Sequence, residues 1–162
     1  MFTCEEDRQK HLTATTKLVD AFDDEIMPTL FADLDGNPSV IILPLPDDET
    51  KDEAKYFLMD LIRKNRITGF CFVCESYMTR MKETNEDVTL DAIMKMTPTE
   101  RPDTKEIIMA QFCTAKETLF YIADIVKFED GKRTLGKWEC MKDWNVSGRF
   151  GQVWSDAISI CN

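Results

Sequence analysis

Between Lys105 and Met141 the apolar positions fall into three consecutive runs. The first is Glu106-Ile107-Ile108-Met109-Ala110-Gln111-Phe112-Cys113. The second is Thr118 to Val126, and the third runs from Arg133 to Cys140. Glu129-Asp130-Gly131-Lys132 separates the last two and reads as a hairpin turn, because Gly accepts the positive φ that such turns need. The pattern predicts an antiparallel meander at the centre of the fold.

The rest of the chain is read the same way. Leu12, Val19, Phe22 and Ile26 recur at helical spacing and predict a helix from about Glu5 to Ile26, stopped by Pro28. Leu34-Asp35-Gly36-Asn37-Pro38 is turn chemistry. Val40-Ile41-Ile42-Leu43 is a short apolar strand ended by Pro44 and Pro46. Asp47-Asp48-Glu49-Thr50 opens a helix to about Asn65, with acids in the first turn where the helix end is positive. Its stripe is Ala54, Phe57, Leu58, Leu61 and Ile62. Gly69 to Met78 is a strand whose first half is apolar on both faces, as in a central strand covered on both sides. Thr79 to Asp103 is polar and holds one short helical candidate, Leu90 to Met96. Asp143 to Gly151 reads as a loop and Gln152 to Cys161 as a last short helix.

These elements predict an α+β fold with about five mostly antiparallel strands and helices packed against them. A length of 162 residues fits one domain. Within it the N-terminal helix spans about 5–26, the sheet core about 38–141, and the C-terminal loop and helix 143–161.

Composition narrows the function classes. The net charge is −10 and the pI near 4.6, so direct binding to a phosphate backbone is disfavoured. Arg63, Lys64 and Arg66 are the nearest thing to a basic patch, and they suit a helix C-terminus. No apolar run approaches the ~20 residues of a membrane span, and Met1 to Asp7 lacks signal-peptide character. The expected location is therefore the cytoplasm, with the six cysteines as thiols.

Several motifs have simpler readings than their chemistry suggests. Cys71-Phe72-Val73-Cys74 has C-x-x-C spacing, but on a strand those sulfurs point to opposite faces and cannot meet. No second C-x-x-C completes a zinc set, so no metal or cofactor is expected. His11, the single histidine, is placed on the polar side of the first helix. Asp33-Leu34-Asp35-Gly36-Asn37 lacks the Gly and Glu positions of an EF-hand and reads as a turn. Gly148-Arg149-Phe150-Gly151 has G-x-x-G spacing but reads as a turn whose Arg149 contacts a partner.

One catalytic alternative has more content. Pro102-Asp103 followed by Asp130-Gly131-Lys132 resembles the signature of PD-(D/E)xK nucleases. With Glu75 as a further acid, that resemblance implies a carboxylate-held divalent cation that activates water. It requires the turn at Ala115-Lys116-Glu117 to bring Asp103 opposite Glu129 or Asp130. In a chain with 30 acidic residues an acid-x-Lys triplet also arises by chance, and Asp130-Gly131-Lys132 is explained as a hairpin turn.

Cys74-Glu75-Ser76-Tyr77-Met78 with Arg101-Pro102-Asp103-Thr104-Lys105-Glu106-Ile107-Ile108 resembles a pattern in uncharacterised bacterial and phage proteins. These carry a Glu-Ala-Trp strand, a polar loop, and Pro-Asp with a basic residue and Glu leading into an apolar strand. Tyr77 replaces the usual Trp, and Thr104-Lys105 stands where two arginines are frequent. The resemblance covers residues 68–140. It implies an α+β protein of bacterial or phage origin (in the host cytoplasm if phage-encoded) and implies no activity.

The residues favour a non-catalytic protein that acts through a protein partner or self-association, with an acidic mimic of nucleic acid as a further alternative. The binding candidates are Glu75, Tyr77, Arg101, Lys105 and Glu106 near the sheet end, with Glu75 pairing Arg101 or Lys105. Trp138, Trp144, Arg149 and Trp154 form a C-terminal interface group, the alternative being that all three tryptophans are core.

Overall fold

In a computed structural model of the protein, the described residues are 1–79, 95–97, 100, 104–142 and 150–159. Helix α1 is Glu5–Ala21, followed by strands β1 (Thr29–Leu34) and β2 (Asn37–Ile42) and helix α2 (Asp48–Arg63). Then come β3 (Gly69–Thr79), β4 (Thr104–Thr114), β5 (Thr118–Lys127), β6 (Arg133–Leu135), β7 (Glu139–Cys140) and α3 (Val153–Ser159).

The fold is α+β, and its sheet is antiparallel throughout. The strand order is β2-β1-β3-β4-β5-β6, with β7 also paired to β5, so the sheet is larger than the five strands expected. The additional strand in the first half is β1. Its Leu30 and Ala32 are buried, and it joins β2 through a tight turn at Asp35 (φ 53°) and Gly36 (φ 79°). Positive φ at both central residues is the turn that matches the twist of a two-residue hairpin. The third run of the meander is broken: after β6, Gly136 bends back to donate to the Asp124 carbonyl at 2.9 Å before β7 rejoins β5.

α1 ends five residues short of Ile26. Phe22 is already extended, and Asp23, Asp24 and Glu25 follow. Three acids at a helix C-terminus oppose its negative end, so the chain leaves the helix there. α2 obeys its pattern. The Asp47 carboxylate accepts from Thr50 N–H at 2.9 Å in a capping box, and Ala54, Leu58, Leu61 and Ile62 are buried as the stripe requires, while Phe57 is exposed.

Helices cover both faces of the sheet. On one face α1 sets Leu12 and Val19 against Cys71, Val73, Ile108, Ala110, Phe112 and Tyr121. On the other, α2 and α3 pack on Leu30, Ala32, Phe70, Phe72 and Cys113. A smaller cluster of Ile107, Phe120, Ile122 and Met141 continues the second face. β3 thus sends alternate residues into two separate cores, as a strand hydrogen-bonded on both sides must. The Leu90–Met96 helical candidate falls mostly outside the described residues.

Candidate functional site

The break at Ala21 creates the site. Because α1 stops, the linker Phe22–Pro28 crosses the end of the sheet instead of a further helical turn, and a cleft of about 530 Å³ opens beside it. Its floor comes from one face of the sheet. Glu75 and Tyr77 of β3 lie two apart on that face, Glu106 faces Tyr77 in register, and Ile125 and Lys127 come from β5. Asp23, Asp24 and Glu25 of the linker form one wall. Phe128, Gly131 and Arg133 form another.

A buried ion pair anchors the floor. Glu75 accepts from Arg133 Nη1 at 2.9 Å, with side chains only 11% and 5% exposed respectively. The Ile26 backbone N–H donates to the same carboxylate at 2.8 Å, and Arg133 Nη2 donates to the Asp24 carbonyl. Two sheet residues 58 apart in sequence therefore clamp the linker in place. Arg133 Nε is buried and has no hydrogen-bond partner among the described residues. Higher up, Lys127 and Glu106 pair at 2.5 Å.

The exposed part of the cleft differs in character. The carboxylates of Asp23, Asp24 and Glu25 are solvent-exposed and make no hydrogen bond or ion pair among the described residues. Tyr77 and Phe128 are exposed aromatic rings in the same cleft. The two cations of the cleft, Lys127 and Arg133, are paired with Glu106 and Glu75, and the negative charge left over, next to aromatic faces, suits a cationic group.

Of the expected binding residues, Glu75, Tyr77 and Glu106 converge here. Lys105 points to the opposite face and pairs with Asp124 at 3.0 Å, so the partner of Glu75 is Arg133 rather than Lys105. Arg101, Asp103, Trp144 and Arg149 lie outside the described residues. Trp138 and Trp154 sit on opposite faces and do not share a patch. Trp138 Nε1 donates to Thr16 Oγ1 of α1 at 3.0 Å, whereas Trp154 stacks on Phe70 with ring centroids 6.3 Å apart.

The residues of the hydrolase alternative fare differently. Glu75 has its oxygens engaged by Arg133 and Ile26, and Asp130 accepts from the Lys132 N–H at 3.0 Å inside the β5–β6 turn. The β4–β5 register pairs Cys113 with Thr118, one residue off the symmetric pairing about Lys116. Among the described residues no three His, Cys, Asp or Glu side chains are grouped to hold a metal ion.

Cys71 and Cys74 project into different cores, as the strand reading requires. Burial pushes the Cys74 and Cys113 thiols up to about 11 and raises Cys71 well above the ordinary range. The Asp33–Asn37 segment is a hairpin turn held by Arg66, which donates to Asp35 at 2.6 Å. His11 departs from expectation. It is half-buried among the rings of Phe2 (4.6 Å) and Phe31 (5.4 Å), because Phe2 folds beneath α1 and fills the core.

Sequence reasoning did not select Asp23, Asp24, Glu25, Phe128 or Arg133. Two signals were present: three acids directly after an amphipathic helix, and a charged Arg133 two before the buried Leu135 on a short strand. An inward-facing charge requires a buried partner.

No helix among the described residues is long and apolar enough to cross a membrane. Comparison of the chain with protein-family models, curated proteins and solved structures gave no match.

Proposed function

We propose that this protein is a non-catalytic binding protein, and that its cleft receives a cationic segment of a protein partner. The observation that carries the reading is the juxtaposition of three exposed carboxylates (Asp23, Asp24, Glu25), unpartnered among the described residues, with two exposed rings (Tyr77, Phe128). Lysine or arginine side chains are attracted by both, and the net charge of −10 steers a basic partner toward the surface. Glu75 and Arg133 hold the wall in place and do not contact the guest directly. Glu75, Ser76, Tyr77 and Glu106, which carry the resemblance to the bacterial and phage proteins, all line this cleft.

The test is titration with a fluorescent Lys/Arg-rich peptide, read by polarisation. Binding should weaken with salt, and should fall at least tenfold in the triple variant Asp23→Asn, Asp24→Asn, Glu25→Gln and again in Tyr77→Ala. A peptide that binds these variants as tightly as the wild type, or does not bind the wild type, overturns the proposal.

A further inference from the structure

Among the described residues the sheet ends on one side at β2, a six-residue strand whose one neighbour there is β1. An open edge offers unpaired N–H and C=O groups and is a template for another strand. Which groups it offers follows from the register. Leu43 N–H donates inward to the Pro28 carbonyl at 2.8 Å, and Ile42 lies opposite Thr29. Backbone direction alternates along a strand, so Ile41 and Leu43 face β1 while Val40 and Ile42 face outward. The same two residues carry strongly exposed side chains, 64% for Val40 and 60% for Ile42. The next outward positions on either side are Pro38 and Pro44, which have no N–H.

This pattern is its own complement. If a second copy of β2 lies antiparallel with Ile41 opposite Ile41, Val40 faces Ile42 of the other copy and Ile42 faces its Val40. All four outward N–H groups then find a carbonyl. Pro38 falls opposite Pro44, so no N–H is left unmatched at either end. The side chains agree, since Val40 and Ile42 from both copies form one β-branched patch. Charge agrees too. Gly36 to Pro46 is the longest stretch of the chain with no charged side chain, in a protein of net charge −10. It is the place where two copies meet with least repulsion. The other end of the sheet, β6, offers only three residues.

We propose that β2 is a self-association edge that joins two copies into one continuous antiparallel sheet about a two-fold axis at Ile41. The surface is separate from the cleft and stands whether or not the cleft binds a cation.

Sedimentation equilibrium across a wide concentration range tests it. The wild type should move from 18.7 kDa toward twice that mass as concentration rises. Val40→Lys with Ile42→Lys sets like charges opposite each other and should abolish the dimer, with circular dichroism unchanged because both side chains are exposed. Ile42→Pro removes an outward N–H without touching the pairing to β1, and should do the same. In a background lacking Cys4 and Cys161, Ile41→Cys should oxidise to a disulfide-linked dimer, since directly opposed residues on antiparallel strands have Cα atoms ~4.5–5.5 Å apart. Val40→Cys should not. A wild type that stays at monomer mass, a dimer that survives both lysines, or cross-linking through position 40 as readily as through 41 overturns the proposal.

Discussion

The Glu75–Arg133 pair is the most exacting test of the structure. Both side chains are almost fully buried and bind each other at 2.9 Å, so removing one leaves the other charged and out of water. Breaking a buried pair in this way costs about 3–5 kcal/mol, whereas replacing both partners with apolar residues is often neutral or better. The two single variants should differ. Glu75→Leu leaves the guanidinium with only the Asp24 carbonyl and strands the Ile26 N–H, so it belongs at the upper end of that range. Arg133→Met also removes a buried Nε–H that has no partner among the described residues, and relief of such a group is worth about 1–3 kcal/mol, which places this variant lower. The double variant still loses the Ile26 and Asp24 hydrogen bonds, at ~1 kcal/mol each. Its total cost of about 2 kcal/mol should therefore fall below that of Glu75→Leu alone. Urea denaturation followed by tryptophan fluorescence gives all four values, with the slope checked for constancy. For a domain of this size, a loss of ~4 kcal/mol lowers Tm by about 8–16 °C. If each single variant costs under ~1 kcal/mol, as at an exposed pair, or if the double variant costs the sum of the singles, the buried clamp is wrong.

Other outcomes follow from individual groups. Burial among aromatic rings lowers the pKa of His11 below 6.5, with Asp7 opposing weakly, so its single set of NMR imidazole signals should titrate below that value. The unfolded chain binds the proton more readily, so this contribution to stability is complete above pH 6.5 and is lost as pH falls through the folded pKa. A His11→Phe variant should lack that slope in pH-dependent denaturation. Iodoacetamide at pH 8 should label exposed Cys4 quickly, partly buried Cys74 more slowly, and leave Cys71 and Cys113 protected until denaturant is added; rapid native labelling of Cys71 or Cys113 would contradict their burial. Gly36→Val places a β-branched residue at φ 79° and should cost about 1–3 kcal/mol in thermal denaturation. Asp47→Ala should cost ~1 kcal/mol through loss of the α2 cap.

Elements with strong local signals were legible in the sequence. α2 announces itself by Asp47, the acids after it and a buried stripe. The first half of β3 was readable because Phe70 to Val73 is apolar at every position. β1 was not. Its alternation of Leu30 and Ala32 with Phe31 and Asp33 is short, and the helical spacing of Ile26 and the turn at Leu34 claim its two ends. The third meander run reads as one strand because nothing local reveals that Gly136 will bond back to Asp124. The cleft was half legible. Glu75, Tyr77 and Glu106 share a face by simple alternation, but Arg133 reaches Glu75 only through the order of strands β3 to β6, which is a property of the whole sheet.

β3 belongs to both cores, with Phe70 and Phe72 beneath α2 and Cys71 and Val73 beneath α1. Neither layer can peel away while the other persists, since each rests on the same backbone. Amide protons of residues 70–73 should then exchange with deuterium only through global opening, and at a common free energy on either flank of the strand. The molecule loses its two interiors together or keeps both.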